Sequence, residues 1–339
     1  MRFFVGFLAV LALLGGGAYV YGVRAYDAPG PLQTSRAVAV PRGGLGDVAD
    51  ALAAEGVVDS PLALRLAAVA TRGDGALRAG ELEFPASASL RQVLSVLRTA
   101  KPVQHRVTIP EGLTASQVAA LLERTPMLEG PTVLPPEGRV LPDTYLFDRG
   151  TTRAAIVERG RRAMDRALAA AWAARAKDLP LATPEEALVL ASIVERETAK
   201  PEERPMVAGV YLNRLARGMR LQSDPTVVYA VSGGLGVLDH GLTRAELDTD
   251  SPYNTYRVSG LPPGPIAMPG AASLRAVTQP AQTESLFFVA DGTGGHAFAR
   301  TNDEHNRNVV RWREIERARA SATPAAAPSP AAPAATARP

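Results

Sequence analysis

The 339-residue chain contains no cysteine. Disulfides, thiolate nucleophiles, iron–sulfur clusters and cysteine-based zinc sites are therefore excluded. Histidine is scarce: His105, His240, His296 and His305 are the four present, none in HExxH spacing, so nothing points to a His-rich metal centre. Aromatic residues make up only 5% of the chain. There is no excess of charge of one sign either, with 37 Lys+Arg against 34 Asp+Glu and a net charge of +3. The basic residues are scattered among acids. Without a basic stripe or aromatics to stack bases, nucleic acid is not an expected partner. What remains is 46% hydrophobic and 21% charged, a globular composition. The length exceeds what one core usually needs, so two folded domains plus extensions are expected.

The one long uncharged run lies at the start, FFVGFLAVLALLGGGAYVYGV over residues 3–23. As a helix it would span roughly 30 Å, the thickness of a bilayer's hydrocarbon core. Arg2 precedes it and Arg24 follows, and Tyr19, Tyr21 and Tyr26 lie toward its outer end, where amphipathic rings favour an interface. A cleaved signal peptide is the alternative, but its apolar region is usually about 7–15 residues. Gly15-Gly16-Gly17 weakens the helix and keeps that alternative open. The length favours an uncleaved anchor. The small flanking charge bias leans toward a cytoplasmic stub and an exported bulk.

Beyond the anchor, Asp27–Ser35 is a Pro/Gly linker. Strand-like RAVAVP (36–41) and Gly80–Phe84 alternate with helical patterns at Asp47–Glu55, Pro61–Thr71 and Ser89–Thr99. The segments AVPRGGLGDVADALAAEGVV and TIPEGLTASQVAALLE form a weak internal repeat of strand, Pro, Gly-containing turn and amphipathic helix. Such a module suits either binding or spacing. Ala154–Ala176 is Ala/Arg-rich and strongly helical, with a solvated charged face. The last stretch, 318–339, is Ala/Pro-rich and is expected to be disordered.

Chemistry concentrates between Thr183 and Asn306. Thr183-Pro184-Glu185-Glu186 reads as a capping box with Pro at the first helical position. The run Ala187–Val194 is apolar around nearly the whole helix and ends in Glu195-Arg196-Glu197. Glu195 shares a stripe with Leu188, Ala191 and Ser192, and Glu197 with Leu190, Ile193 and Val194. Either carboxyl can sit at the edge of a dry core, where desolvation raises its pKa toward the range a general acid needs. Equally, both can be surface residues paired with Arg196 or Lys200. Periodicity does not choose between the two. Polar groups then recur densely: Asn213-Arg214, Gln222-Ser223-Asp224-Pro225-Thr226, Tyr253-Asn254-Thr255-Tyr256 and Gly260–Ile266. Amides, hydroxyls and aromatic rings without a cationic cluster suit a sugar, although Asp-Pro and Pro-Pro-Gly also mark ordinary loops.

The runs LASIVERETAKPEERPMVAGVYLNRLARGMRLQSDPTVVYA, SPYNTYRVSGLPPGPIAMPGAASLRA and FFVADGTGGHAFARTNDEHN closely resemble the endolytic murein transglycosylase (YceG-like) family, and RVLPDTYLF (139–147) resembles the family segment ahead of the catalytic domain. The likeness covers roughly residues 36–310. It implies the order membrane anchor, small LysM-like module and catalytic domain, while the Ala/Pro tail is peculiar to this chain. Together with the composition, the α+β chain divides into a cytoplasmic stub and transmembrane helix (1–26), a linker (27–35), a small LysM-like α/β module (36–104), a connecting strand and helical region (105–182), a mixed α/β YceG-like catalytic core (183–317) and a disordered tail (318–339). By the same resemblance the catalytic residue is the first glutamate of IVERET, Glu195, with Glu197, Arg214 and Thr255 in support. Asn213, Gln222, Asp224, Tyr253, Asn254 and Tyr256 are the expected cleft residues. His296 and His305 are read as structural contacts near the last strand and helix. No metal and no cofactor are implied.

The implied reaction is a lytic cut inside peptidoglycan strands, between N-acetylmuramic acid and N-acetylglucosamine, that leaves a 1,6-anhydro end. The implied location is the bacterial inner membrane, single-pass, with the catalytic domain outside the cytoplasm. Partners would be glycan strands, glycan-polymerising synthases and the division machinery. Two rivals are a hydrolase using Glu195 with Asp224 as second carboxylate, and a non-enzymatic wall-binding scaffold.

Overall fold

The structure is a computed structural model that describes residues 2–322, with side chains described for 13–17 and 19–319. The chain forms two compact units, each with a mixed α/β content. Of the described residues, the first comprises 2–108, 122–131 and 144–156, and the second 109–121, 132–143 and 157–322. This division follows spatial packing, so it differs from the composition-based boundaries at 104 and 182.

In the first unit, α1 (Arg2–Asp27) carries the apolar run. The anchor reading rests largely on residues 2–12, whose side chains lie outside the described ones. Among the described residues, no helix is long and apolar enough to cross a membrane. After α1 come β1 (Arg36–Val40), α2 (Leu45–Ala54), α3 (Pro61–Ala70), β2 (Gly80–Phe84) and α4 (Leu90–Thr99). β1 and β2 are antiparallel, Val38 facing Leu82 and Arg36 facing Phe84. Alternate residues of this pair, Val38, Val40, Leu82 and Phe84, point into a core shared with Leu52, Leu64, Leu94 and Leu97. Alternation with period two is what lets one face of a two-stranded ribbon be buried. β3 (Gln104–Thr108) and β4 (Thr144–Asp148) form a second antiparallel pair.

The segment 27–35 is bound to this unit and is not a free linker. Arg91 grips Asp27 through two hydrogen bonds of 2.6 and 3.0 Å, and Leu32 is buried in the core. Gly30 donates to Ser87 O, and a Cβ at Gly30 would collide with Ala88 O, so only glycine allows the approach.

The second unit holds most of α5 (Ala115–Glu123) and α6 (Arg153–Ala173), then α7 (Pro184–Glu197), α8 (Arg204–Ala216), α9 (Asp224–Val231), α10 (Arg244–Leu247) and α11 (Ala271–Thr278). The antiparallel pair β5 (Phe287–Ala290) and β6 (His296–Ala299) precedes α12 (Asn302–Ala322). The core is built from α7, α8 and α11, with Leu188, Leu190, Ile193, Val207, Tyr211, Leu274 and Val277 almost fully buried. α7 starts as its sequence dictates. Thr183 Oγ1 accepts from Glu186 N at 3.2 Å and Pro184 opens the first turn. The reciprocal half of the expected capping box is displaced by one residue, because the Glu186 carboxylate accepts from Ala182 N at 2.6 Å.

One boundary is corrected by α12. Residues 318–322, assigned above to the tail, continue this helix. Ala and Arg are strong helix formers, and the first helix-breaking proline comes only at Pro324. The remainder of the tail, 323–339, lies outside the described residues.

Candidate active site

The two glutamates at the end of α7 have opposite surroundings. Glu195 turns inward. Its side chain is only 3% exposed and both oxygens are engaged: Oε1 accepts from Arg204 Nη2 at 2.7 Å and Oε2 from Gly270 N at 2.9 Å. The same Arg204 nitrogen reaches Glu111 Oε2 at 3.0 Å. The Glu111 segment is held by backbone bonds from Gly112 N to Met268 O and from Met268 N to Leu113 O. Gly270 has no Cβ to collide with the Glu111 carboxylate, which is why that side chain can lie against it. Burial pushes the Glu195 carboxyl up, while the Gly270 amide and the Arg204 guanidinium pull it back. The arrangement is a buried ion pair with a second carboxylate at its rim.

Glu197 is half-buried and lines a cavity of about 230 Å³ together with Thr198, Gly294, Gly295, His296 and Trp312. Its Oε1 accepts two hydroxyl bonds, from Tyr211 and from Ser223, each 2.5 Å. Burial pushes its pKa up, the Ser223 and Tyr211 bonds pull part of the way back, and Asp224 adds a further push. The Tyr211 phenol is itself pushed well above its ordinary range by burial and by the neighbouring carboxylate, so it acts as a donor.

The local backbone explains why Ser223 serves Glu197. Ser223 is the N-cap of α9, yet its hydroxyl makes no capping bond and donates to Glu197 instead. The preceding Gln222 sits at φ +52°, a left-handed conformation that a non-glycine residue adopts only when its surroundings hold it there. Thr255 does the holding. Its carbonyl accepts from Gln222 N at 3.1 Å, and its hydroxyl accepts from Ser223 N at 2.9 Å. Thr226 Oγ1 contacts the same hydroxyl at 2.9 Å.

The structure thus brings the LQSDPT and YNTY segments together. Tyr256 donates to Asp224 Oδ1 at 2.6 Å. Asn254 is wholly buried and donates to Leu247 O and Thr249 O, at 2.9 and 2.8 Å, which fixes the loop ahead of it. Tyr253 packs against Tyr229 with ring centroids 5.0 Å apart. The Gln222 side chain is exposed. Asn213 lies apart from this group, whereas Arg214 braces it through Leu221 O at 2.6 Å. Asn213 donates to Thr283 O and Ser285 O, and Arg214 to Leu286 O and Leu221 O, so both tie α8 to loop carbonyls. His296 Nδ1 lies 2.8 Å from Glu203 Oε2 while its ring also faces the cavity. His305 stacks on Phe287 at 5.2 Å.

Sequence reasoning did not find Tyr211, Trp312, Arg204 or Glu111. Tyr211 was hidden in the apolar run MVAGVYL. Its only signal is chemical, since a buried phenol needs a partner for its hydroxyl. Ser223 stood inside a recognised motif but without a role of its own.

A profile of the YceG-like family matches residues 38–311. The chain belongs to the YceG-like family. Among proteins similar to this member of the family is the endolytic murein transglycosylase of Streptococcus pneumoniae, 30% identical over an alignment covering 91% of this chain and 64% of that protein. The chain therefore spans less than two thirds of that relative's length. The endolytic murein transglycosylase of Bacillus subtilis is 42% identical over 120 residues, covering 35% of this chain and 32% of that one. A solved YceG-like protein from Listeria monocytogenes superposes with a TM-score of 0.52 at 28% identity, covering 80% of this chain and 98% of its own.

Proposed function

We propose that the protein is an endolytic peptidoglycan lytic transglycosylase whose proton donor is Glu197, with Glu195 as the buried ion-pair partner that anchors the end of α7. The observation that carries the assignment is the contrast in free oxygens. Glu195 has both oxygens occupied by N–H donors in a nearly inaccessible pair. Glu197 has its two hydroxyl donors on Oε1, which leaves Oε2 to carry the proton beside the cavity. This reverses the roles that the family resemblance suggested for the two residues.

The chemistry follows. Glu197 donates its proton to the oxygen bridging N-acetylmuramic acid and N-acetylglucosamine, and the C1–O4 bond breaks as positive charge builds at C1. The departing sugar keeps the proton as its 4-hydroxyl. The C6 hydroxyl of the muramic acid attacks C1 and its proton returns to the Glu197 carboxylate. No water is consumed. An internal nucleophile can have an effective concentration of up to about 10⁵ M or more, so a second carboxylate is unnecessary. Asp224 is engaged by Tyr256 and is not needed as that second group. Trp312 offers the cavity an aromatic face for a sugar ring.

In the same reading, α1 holds the chain at the inner membrane with both units outside the cytoplasm, beside the synthases that make nascent strands. The β1–α2–α3–β2 arrangement is the LysM-like module. The names of the pneumococcal and Bacillus relatives support the activity. Digestion of purified glycan strands followed by product mass spectrometry tests it. Ends lighter by one water than hydrolysed ends are expected. Ends of hydrolysed mass, or no cleavage, would refute it.

A further inference from the structure

A second cavity, of about 450 Å³, lies in the second unit and is lined by Arg220, Arg244, Leu247, Asp248, Tyr256 and Arg257. Three guanidinium groups face one carboxylate, so the lining carries an excess of positive charge. Arg220 donates to Tyr256 O at 3.0 Å. Among the described residues, the side chains of Arg244 and Arg257 have no hydrogen-bond or ion-pair partner, although this chain has nearly as many acids as bases. Guanidinium forks suit a planar oxyanion bidentately.

The cavity is wired to the proton donor. Glu197 is bonded to Ser223, the next residue Asp224 is bonded to Tyr256, and Tyr256 forms part of the cavity wall. A ligand seated on the arginines would therefore bear on the residues that place the proton. This matters for substrate choice because the sugars of a glycan strand between its ends offer hydroxyls and amides but no anion, apart from what is attached to the muramic acid. Those attachments are peptide stems, which end in carboxylates. Buried polar recognition at Glu197 and charged recognition at the arginines would then read two parts of one repeating unit.

We propose that this arginine-lined cavity is a subsite for a carboxylate of the peptide stem carried by the substrate strand. The proposal rests on the reading of the protein as a peptidoglycan-cutting enzyme, and its test is separate because it measures binding. Full-length protein bearing Glu197→Gln, which removes the proton donor, is titrated with stem-bearing strands and with strands stripped of their peptides by an amidase, the lactyl carboxylates that the amidase exposes being capped as neutral methylamides. The stem-bearing strands should bind about tenfold more tightly or better, as one or two charge-assisted bonds allow. Adding Arg244→Ala and Arg257→Ala should erase that difference and leave the stripped strands bound as before. Both side chains are exposed, so their removal is not expected to unfold the protein. The Lys replacements should retain part of the preference. Raising the salt concentration should weaken only the stem-dependent part.

Equal binding of the two strands overturns the proposal, as does a difference that survives the double alanine change. Inorganic diphosphate that displaces stem-bearing strands at lower concentration than a free stem peptide also overturns it and assigns the cavity to phosphate. Failure of the enzymatic reading would show up differently, as no product from the unmutated protein while this binding pattern remains.

Discussion

Glu197→Gln is expected to lower strand cleavage by at least about 10³-fold while the protein still folds, because one residue serves as acid and then as base. The amide keeps the shape of the side chain and can still accept from Tyr211 and Ser223, so the loss reads out chemistry and not packing. The pH dependence follows from the same geometry. Burial raises the Glu197 pKa, which keeps the carboxyl protonated further toward neutral pH than an exposed one. Only the protonated form donates, so kcat/KM falls as pH rises through that pKa. Tyr211→Phe removes a bond that favours the ionised form. It should therefore move the alkaline limb to higher pH, whereas a purely structural loss would lower the rate equally at every pH. A rate profile measured on purified strands separates the two.

Glu195→Ala is expected to act on stability. It strips the charge partner from Arg204, which is buried and retains only the half-exposed Glu111. Breaking a buried pair by removing one partner costs about 3 kcal/mol or more. For a unit of this size that is a fall in Tm of roughly 6–12 °C, measurable by calorimetry. The Gly270 amide loses its acceptor at the same time. The protein that remains folded should still cleave strands within about tenfold of the original rate, since no proton passes through Glu195. A variant with unchanged Tm and no activity would reverse the assignment of the two glutamates.

Why the sequence left that choice open is a matter of helix geometry. Residues two apart on a helix point about 200° from each other. Glu195 and Glu197 therefore leave α7 on nearly opposite sides, and both sides of this helix are apolar further back. Which side meets α8 and Gly270, and which meets a cavity, depends on groups that run from Arg204, nine residues beyond Glu195, to Gly270, 75 residues beyond it, and no pattern within α7 encodes it. The start of α7 was legible because its signal is local, Thr183 followed by Pro184. The β1 and β2 strands were legible because burial of one face imposes alternation. The pairing of LQSDPT with YNTY was legible only as density of polar residues. Its purpose, to hold Gln222 at positive φ and swing the Ser223 hydroxyl from its own helix to Glu197, appears only in three dimensions.

The same limit applied to Asn213 and Arg214. Asn213 was expected in the cleft and Arg214 in support, and amides and guanidinium groups also satisfy buried loop carbonyls, which is what these two do ahead of β5 and α9. Tyr211 shows the converse. It counted as core by its neighbours, and packs as core, yet its hydroxyl is one of two that decide which oxygen of Glu197 is free.

The most direct test is a titration of the Glu197 carboxyl itself, by ¹³C NMR of glutamate-labelled protein with the Glu197→Gln spectrum identifying the signal. The account predicts a midpoint clearly above the ordinary glutamate value of about 4.3, coinciding with the alkaline limb of the rate profile and moving upward in Tyr211→Phe. A midpoint at the ordinary value, with cleavage continuing at pH values where the residue is fully ionised, would contradict it.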